Sequence, residues 1–454
     1  MLPLALLVGC VTEVDGDGDG DGDGDGNGDS EVGVQELALA PGRLANNLAF
    51  PNPTGEHTTW STSGAIKLRN PFFRPLGTNG RACVTCHRPE DAWSVGPPHI
   101  ADRFEQSGGL DPLFRTVDTS NNPSADVSTV AARRVAYSHF LARGVVRFRF
   151  PLPPGAEFRV LAADDPYGND LAAGVTVFRR PLPSTNVKFL ADVMWDGREP
   201  APQAVTLDVS LASQANAAHR QHAEATRDLT AAQAAAIVEF EKSIFTAQFR
   251  DQSAGLLRGG GGRGGARNLS GEPFAFGDSG PFTLYDGWPT AGRMPLRAAR
   301  AAVRRGQVVF NTRAITISGV AGLNDELRPS INGTCVSCHD APNIGSQSVS
   351  ALFDIGVASE TRRTADQPLY TLFNEITGEV RTTTDPGRAL VSGRWSDIGR
   401  FKSPVLRGLA GRAPYFHDGS AETLEAVVDF YDGRFQMGMS AEERSDLTAF
   451  LRAL

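Results

Sequence analysis

A chain of 454 residues has room for two or three compact domains, and 41% hydrophobic with 21% charged residues is the balance of a globular protein, not of a disordered or fibrous one. The net charge of −8 comes mostly from one acidic repeat, so the remainder is near neutral and carries no basic patch that would select a nucleic acid. Four of the five cysteines fall in two Cys-x-x-Cys-His runs and the fifth is Cys10, which leaves none for a disulfide framework.

The apolar run from Met1 ends in Leu7-Val8-Gly9-Cys10, which resembles a bacterial lipobox, where the cysteine is lipidated and becomes the mature N-terminus. It is too short to span a bilayer and lacks the positive start of a signal peptide, so it reads as the remnant of a lipoprotein signal; a buried structural cysteine is the plain alternative. Residues 15 to 29 repeat Asp-Gly. Glycine at every second place maximises chain entropy and the aspartates repel, which predicts an extended, disordered tether. A calcium loop of the EF-hand kind starting at Asp15, Asp17, Asp19 or Asp21 needs a Glu at its twelfth place, and Gly26, Gly28, Ser30 and Val32 stand there. Weak, unspecific calcium binding is the most the repeat offers. Residues 1–39 are therefore expected to anchor the protein by a lipid at Cys10, on the periplasmic side of the cell envelope at the outer membrane.

Residues 40–290 are expected to form the first domain. Its opening, to about residue 82, is rich in Asn, Pro and Gly without a strong period, and Pro89, Pro97 and Pro98 keep the following stretch out of long helix. A helix is predicted over 125–142, stopped at Gly144. Alternation of apolar and charged residues in 145–150, 157–161 and 175–179, between Pro/Gly turns, predicts a small antiparallel β insertion at about 144–180. A long helix at about 229–249 starts from a capping box of Thr230 and Gln233 and has Ile237, Phe240, Ile244 and Phe245 on one face. Residues 255–290, with Gly259 to Gly265 at their start, read as a linker or surface loop.

The second domain, 291–454, opens with a predicted helix over Arg297 to Phe310 and closes with another, where Ser440 and Glu443 repeat the capping box and Leu447, Phe450 and Leu451 the apolar face. The fold class expected is mainly α: two tandem cytochrome c-type haem domains, with the β insertion in the first.

That expectation rests on Cys83-Val-Thr-Cys86-His87 and Cys335-Val-Ser-Cys338-His339. A Cys-x-x-Cys-His run is the attachment signature of c-type haem: thiols at i and i+3 lie on one side of a helical turn, where both reach the vinyl groups of one porphyrin, and the next His coordinates the iron. Zinc or redox Cys-x-x-Cys motifs need no His directly behind the second cysteine, and both copies have one. Two covalently bound haem c groups follow, and with them an export route out of the cytoplasm.

Around those runs, Trp195-Asp-Gly-Arg198 and the stretch from Phe401 to Pro414-Tyr-Phe-His417-Asp-Gly-Ser resemble the bacterial di-haem cytochrome c peroxidase family, which includes MauG, over roughly residues 65–454 apart from the insertion. The resemblance implies that Trp195 stands between the haems and helps electrons pass. The family's sixth ligand to the C-terminal haem lies fourteen residues beyond the motif His, Met in the peroxidases and Tyr in MauG; from His417 that is Tyr431. A phenolate is a hard anionic donor that favours oxidised iron, and Met437 and Met439 are nearby competitors. The first haem is the expected reactive centre. His99 would either cap the His87 iron in a resting form or sit in solvent. The family's distal Glu, twenty residues after the motif Trp, corresponds to Ala215, leaving Gln214, His219 and His222 as neighbours that could act in proton transfer. An inter-haem calcium is implied as well, although Arg180 and Arg412 stand where the family has Asn and Thr.

The implied function is a haem-dependent oxidoreductase of the peroxidase/MauG type that reduces hydrogen peroxide at the His87 haem and exchanges electrons through the second haem with a small donor protein or a protein substrate. The alternative is a non-catalytic, electron-transfer di-haem cytochrome c with both irons closed.

Overall fold

The computed structural model describes residues 42–200 and 204–454; the readings for residues 1–39 lie outside them. Ala38–Leu454 forms one compact unit, in which both motif-bearing halves are packed together. In chain order the helices are α1 (Pro97–Ser107), α2 (Val130–Ala136), α3 (Ser138–Arg143), α4 (Leu207–Gln221), α5 (Ala231–Ser243), α6 (Ala266–Ser270), α7 (Pro295–Thr312), α8 (Ala389–Ser392), α9 (Leu424–Phe435) and α10 (Ala441–Arg452), interleaved with short strands in six small sheets. None of the described helices is long and apolar enough to cross a membrane.

Both capping boxes are present as read, Thr230 with Gln233 at the start of α5 and Ser440 with Glu443 at the start of α10. The predicted helix over 125–142 is two helices, because the backbone leaves helical geometry at Tyr137 (φ −103°, ψ 13°); α3 ends as expected on Gly144 in the left-handed region. The helix expected over 229–249 stops at Ser243. Ile244, β-branched and fully buried like its neighbours, continues as the strand Ile244–Asp251, because a sheet partner, Gly55–Ser61, is already in place to take its backbone bonds.

The β insertion departs from the reading in a way that bears on the whole molecule. Val146–Phe150 pairs antiparallel with Val175–Arg179 as foreseen. The middle strand, Phe158–Asp164, pairs instead with Leu369–Asn374 of the second half, which in turn pairs with Val380–Thr383. Tyr370 ties the two sheets, its hydroxyl donating to the Thr176 carbonyl at 2.6 Å. The insertion is thus a joint between the halves.

The stretch over 255–290 is a surface loop only in its middle, where residues 271–281 are mostly exposed. Leu257, Phe282, Leu284, Tyr285 and Trp288 are buried in the core of the second half. There Phe282, Phe310 and Phe450 meet with centroids 5.3 to 5.6 Å apart, which locks α7 to α10. The helices touch so closely at Gly306 that an added Cβ would stand 1.9 Å from the Asp446 carbonyl oxygen. Gly306→Ala is therefore expected to force α7 off α10 and destabilise the protein by about 1–3 kcal/mol; denaturant unfolding of the two proteins measures it.

Candidate functional site

Each Cys-x-x-Cys-His run folds into a 3₁₀ turn, Cys83–Thr85 and Cys335–Ser337, continued by a bond from the His amide to the first Cys carbonyl (2.9 and 3.1 Å). The residues flanking the cysteines do the capping. Thr85 Oγ1 accepts from the Ala82 amide at 3.0 Å, and Ser337 Oγ accepts from the Thr334 amide at 3.0 Å. In each copy the His is fixed by its Nδ1, which donates to a carbonyl: Trp93 at 2.9 Å for His87 and Gly345 at 2.7 Å for His339. That bond leaves each Nε2 free to bind a metal, with the ring oriented for it.

Each turn borders a large cavity, with about 1160 Å³ of empty space at His87 and about 1350 Å³ at His339, counting the parts open to solvent. The four motif cysteines form no disulfide, and burial pushes the thiols of Cys83, Cys335 and Cys338 up to about 12. Burial lowers the pKa of His87 and His339 and keeps both imidazoles in the neutral, ligating form. Paired thiols, a free Nε2 and an apolar cavity beside each turn fit haem c at both places.

Trp195 lies on the wall of both cavities. Its Nε1 donates to the Arg180 carbonyl at 2.8 Å, and its ring is 6.4 Å from that of His417, which stacks on Phe401 at 4.1 Å. The turn that carries it needs Gly197, at φ +60°, and receives two bonds from Arg388. Next to Trp195, Asp196 is fully buried and bonded at 2.5 Å to Arg179, whose guanidinium also grips Asp385 of the second half with bonds of 2.7 and 2.8 Å. Burial works against the Arg179 charge, but the two carboxylates hold its pKa above the ordinary value. This triad joins the halves at the position of the tryptophan.

The other predicted residues divide. Gln214 and His222 line the His87 cavity. His219 lines an adjoining cavity that shares His87, Gln214 and His222 with it. His222 Nδ1 is 2.6 Å from Asp118 Oδ2, and Asp118 also receives Arg81. Ala215 borders the adjoining cavity and presents only a methyl group. His99 is not among the residues around His87; it stands on α1 with Nδ1 2.6 Å from Asp91. At the second cavity, Tyr431 on α9 lines the wall with His339, and burial together with the nearby Cys338 and Cys335 sulfurs raises its pKa. A metal cation there would reverse the sign of that shift. Met437 lines the same cavity, whereas Met439 is packed in the core away from it.

Calcium does not fit the place where the resemblance puts it. Arg180 sends its guanidinium to the carbonyls of Arg143, Gly144, Arg412 and Ala413, so an organic cation already takes the oxygens that join the halves. A second guanidinium, Arg412, binds the carbonyls of Val405, Arg407 and Gly408 beside it, and a divalent ion would be repelled by both. Among the described residues no group of three or more His, Cys, Asp or Glu could hold a metal ion.

Lys402 and Glu241, like Asp118, are residues of the first cavity that escaped the sequence reading. Lys402 lines both cavities; burial lowers its pKa to about 8, and its Nζ donates to the Asp192 carbonyl at 3.0 Å. Glu241 lines the His87 cavity from α5 and is 6% exposed. The signal was present: Glu241 falls one helical turn after Ile237, on the apolar face, while Glu239 points to solvent.

No protein-family model matches the chain. Among curated proteins it is 31% identical to the cytochrome-c peroxidase IdrP1 of Pseudomonas sp. (strain SCT) over 140 residues, 26% of this chain and 36% of the relative. It is 33% identical to the cytochrome c551 peroxidase of Nitrosomonas europaea over 122 residues, 26% and 30% of the two chains. A shorter match of 65 residues, 12% of this chain and 18% of the relative, is 45% identical to the methylamine utilization protein MauG of Methylorubrum extorquens. The matches thus span about a third or less of these relatives' length. A solved MauG-like protein associated with microbial copper homeostasis aligns over 85% of this chain and 86% of its own, at 17% identity and a TM-score of 0.41.

The Arg179 triad gives a direct test of the joint. Asp385→Asn leaves a buried guanidinium short of one countercharge, and a loss of about 3–5 kcal/mol in stability is expected; denaturant unfolding of the holoprotein reads it.

Proposed function

Taking as premise that this chain belongs with the bacterial cytochrome c peroxidase and MauG family, we propose that it is an exported oxidoreductase carrying two haem c groups, at His87 and His339, which reduces hydrogen peroxide at the first and exchanges electrons through the second. The observation that carries this reading is the single tryptophan, Trp195, on the wall of both cavities.

Haem, when bound, supplies the redox chemistry; the chain's own groups set where it occurs. The buried Asp118 and the partly exposed His222 form an acid–base pair at the first cavity. Burial opposes the charge on Asp118, but Arg81 and His222 keep its carboxyl below the usual carboxylate range. The wall of the second cavity is mostly apolar, with Tyr431, His417 and Lys402 among its ionisable groups besides the motif residues. An anionic oxygen donor favours the more oxidised metal, which suits storing oxidising equivalents. Proton chemistry therefore belongs at His87 and charge storage at His339, with Trp195 as the element between them. The donor would be a small electron-carrier protein or a protein substrate docking at the surface, and the cell envelope is the place where such haem is attached.

The rival, an electron-transfer cytochrome with both irons six-coordinate, draws on Ala215, which offers no acid where the family has one. Cyanide separates the two, since a closed pair of haems would barely respond while an open iron at His87 shifts its spectrum. Pyridine haemochrome analysis of the matured protein is expected to give two haems per chain. Tyr431→Phe is expected to change the resting electron paramagnetic resonance of one haem only, and Trp195→Phe to slow the appearance of oxidised character at the second haem after peroxide mixing. A single haem per chain, or a wild type inert to peroxide, would discard the proposal.

A further inference from the structure

We infer that Glu241 is the proton-donating acid of the His87 cavity, taking from α5 the task that Ala215 on the neighbouring α4 cannot perform; this rests on the peroxide reading above. Helices α4 and α5 pack against each other, and Ala215 and Glu241 border the same adjoining cavity, so an acid moved from one helix to the other still reaches the same space. Glu241 also lines the His87 cavity itself, with Gln214 and His222. Its Oε2 is buried without a hydrogen-bond partner among the described residues. A carboxyl left unpaired in a core is costly, so it marks a site that a ligand or reaction uses.

Titratable and charged groups around it are Cys86, His87, Asp118, Arg179, Arg180, Arg198, His222, Lys402 and Arg412 at the main cavity, and Arg74, Arg81, Cys83 and His219 at the adjoining one. Burial alone pushes the Glu241 carboxyl up to about 8, so it stays protonated at neutral pH and loses its proton above that. Reduction of the oxidant is H2O2 + 2 H+ + 2 e− → 2 H2O. The O–O bond breaks, the one-electron donor protein supplies both electrons, and Glu241 gives one of the two protons to the departing oxygen and regains it from water.

The experiment uses holoprotein of the wild type, Glu241→Gln and Glu241→Asp, with stopped-flow peroxide mixing across pH 5–9 and infrared difference spectra of the protonated carboxyl stretch on cyanide binding. Glu241→Gln is expected to react about 10²–10⁴-fold more slowly, as general acid catalysis is worth, with Glu241→Asp recovering part of the rate. The wild-type rate should fall as pH rises through about 8, and a protonated-carboxyl band present at pH 6 should be missing in Glu241→Gln. Stability gives a further sign: the folded pKa lies above the unfolded one, so wild type loses melting temperature relative to Glu241→Gln as pH rises from the ordinary carboxylate range through about 8. A Glu241→Gln protein that reacts at the wild-type rate, or a wild type without the band at pH 6, overturns the assignment alone. A wild type inert to peroxide overturns the parent reading, and this role with it. Should Glu241→Gln fail to mature, the wild-type band and the Glu241→Asp rate decide.

Discussion

A guanidinium cut off from water persists only where its countercharges are fixed around it. Arg179, 1% exposed, meets that condition by reaching Asp196 on one side and Asp385 on the other, more than two hundred residues away in the chain. Asp196 follows Trp195, and the strand that ends in Arg179 belongs to the insertion sheets that also bind the second half through Tyr370. Neither partner can shift without exposing an unpaired charge in the interior. The tryptophan is therefore held where both cavities meet, and this ionic joint, together with the sheet joint at Tyr370, fixes how the two cavities are spaced.

The two cavities are built alike at their floors and differently at their walls. Each has a 3₁₀ turn, a pair of thiols and an imidazole oriented by a backbone carbonyl. The His87 cavity is lined by Asp118, His222 and Glu241, the His339 cavity mostly by aromatic and aliphatic side chains with Tyr431 and His417, and Lys402 borders both. Such a division suits a molecule in which protons are handled on one side and electrons held on the other. Arg180 and Arg412 reinforce the seam between them with cations supplied by the chain itself.

Legibility followed the range of the interaction concerned. The capping boxes at Thr230 and Ser440 and the stop at Gly144 were visible because they are settled within a few residues. The break after Ser243 was not, since Ile237, Phe240 and Ile244 fit a helical face and only the waiting strand at Gly55–Ser61 turns Ile244 into a sheet residue. A glycine-rich stretch with scattered aromatics looks like a connector until Tyr285 and Trp288 are seen to fill the space under α7. His99, read from its place near the first motif as either an iron ligand or a residue in solvent, does not line the first cavity and bonds Asp91 through Nδ1.

The two Cys-x-x-Cys-His turns were written locally, because two thiols and an imidazole within five consecutive residues need only one turn of backbone to converge. The neutral rest of the chain and the absence of spare cysteines followed from composition in the same way. Which carboxyls line the first cavity, what cation seals the seam and which residues both cavities share were fixed by contacts such as Arg179 with Asp385 and Arg180 with Ala413. Those pairs lie more than two hundred positions apart, and a burial pattern of period two or three and a half carries no information about so distant a neighbour.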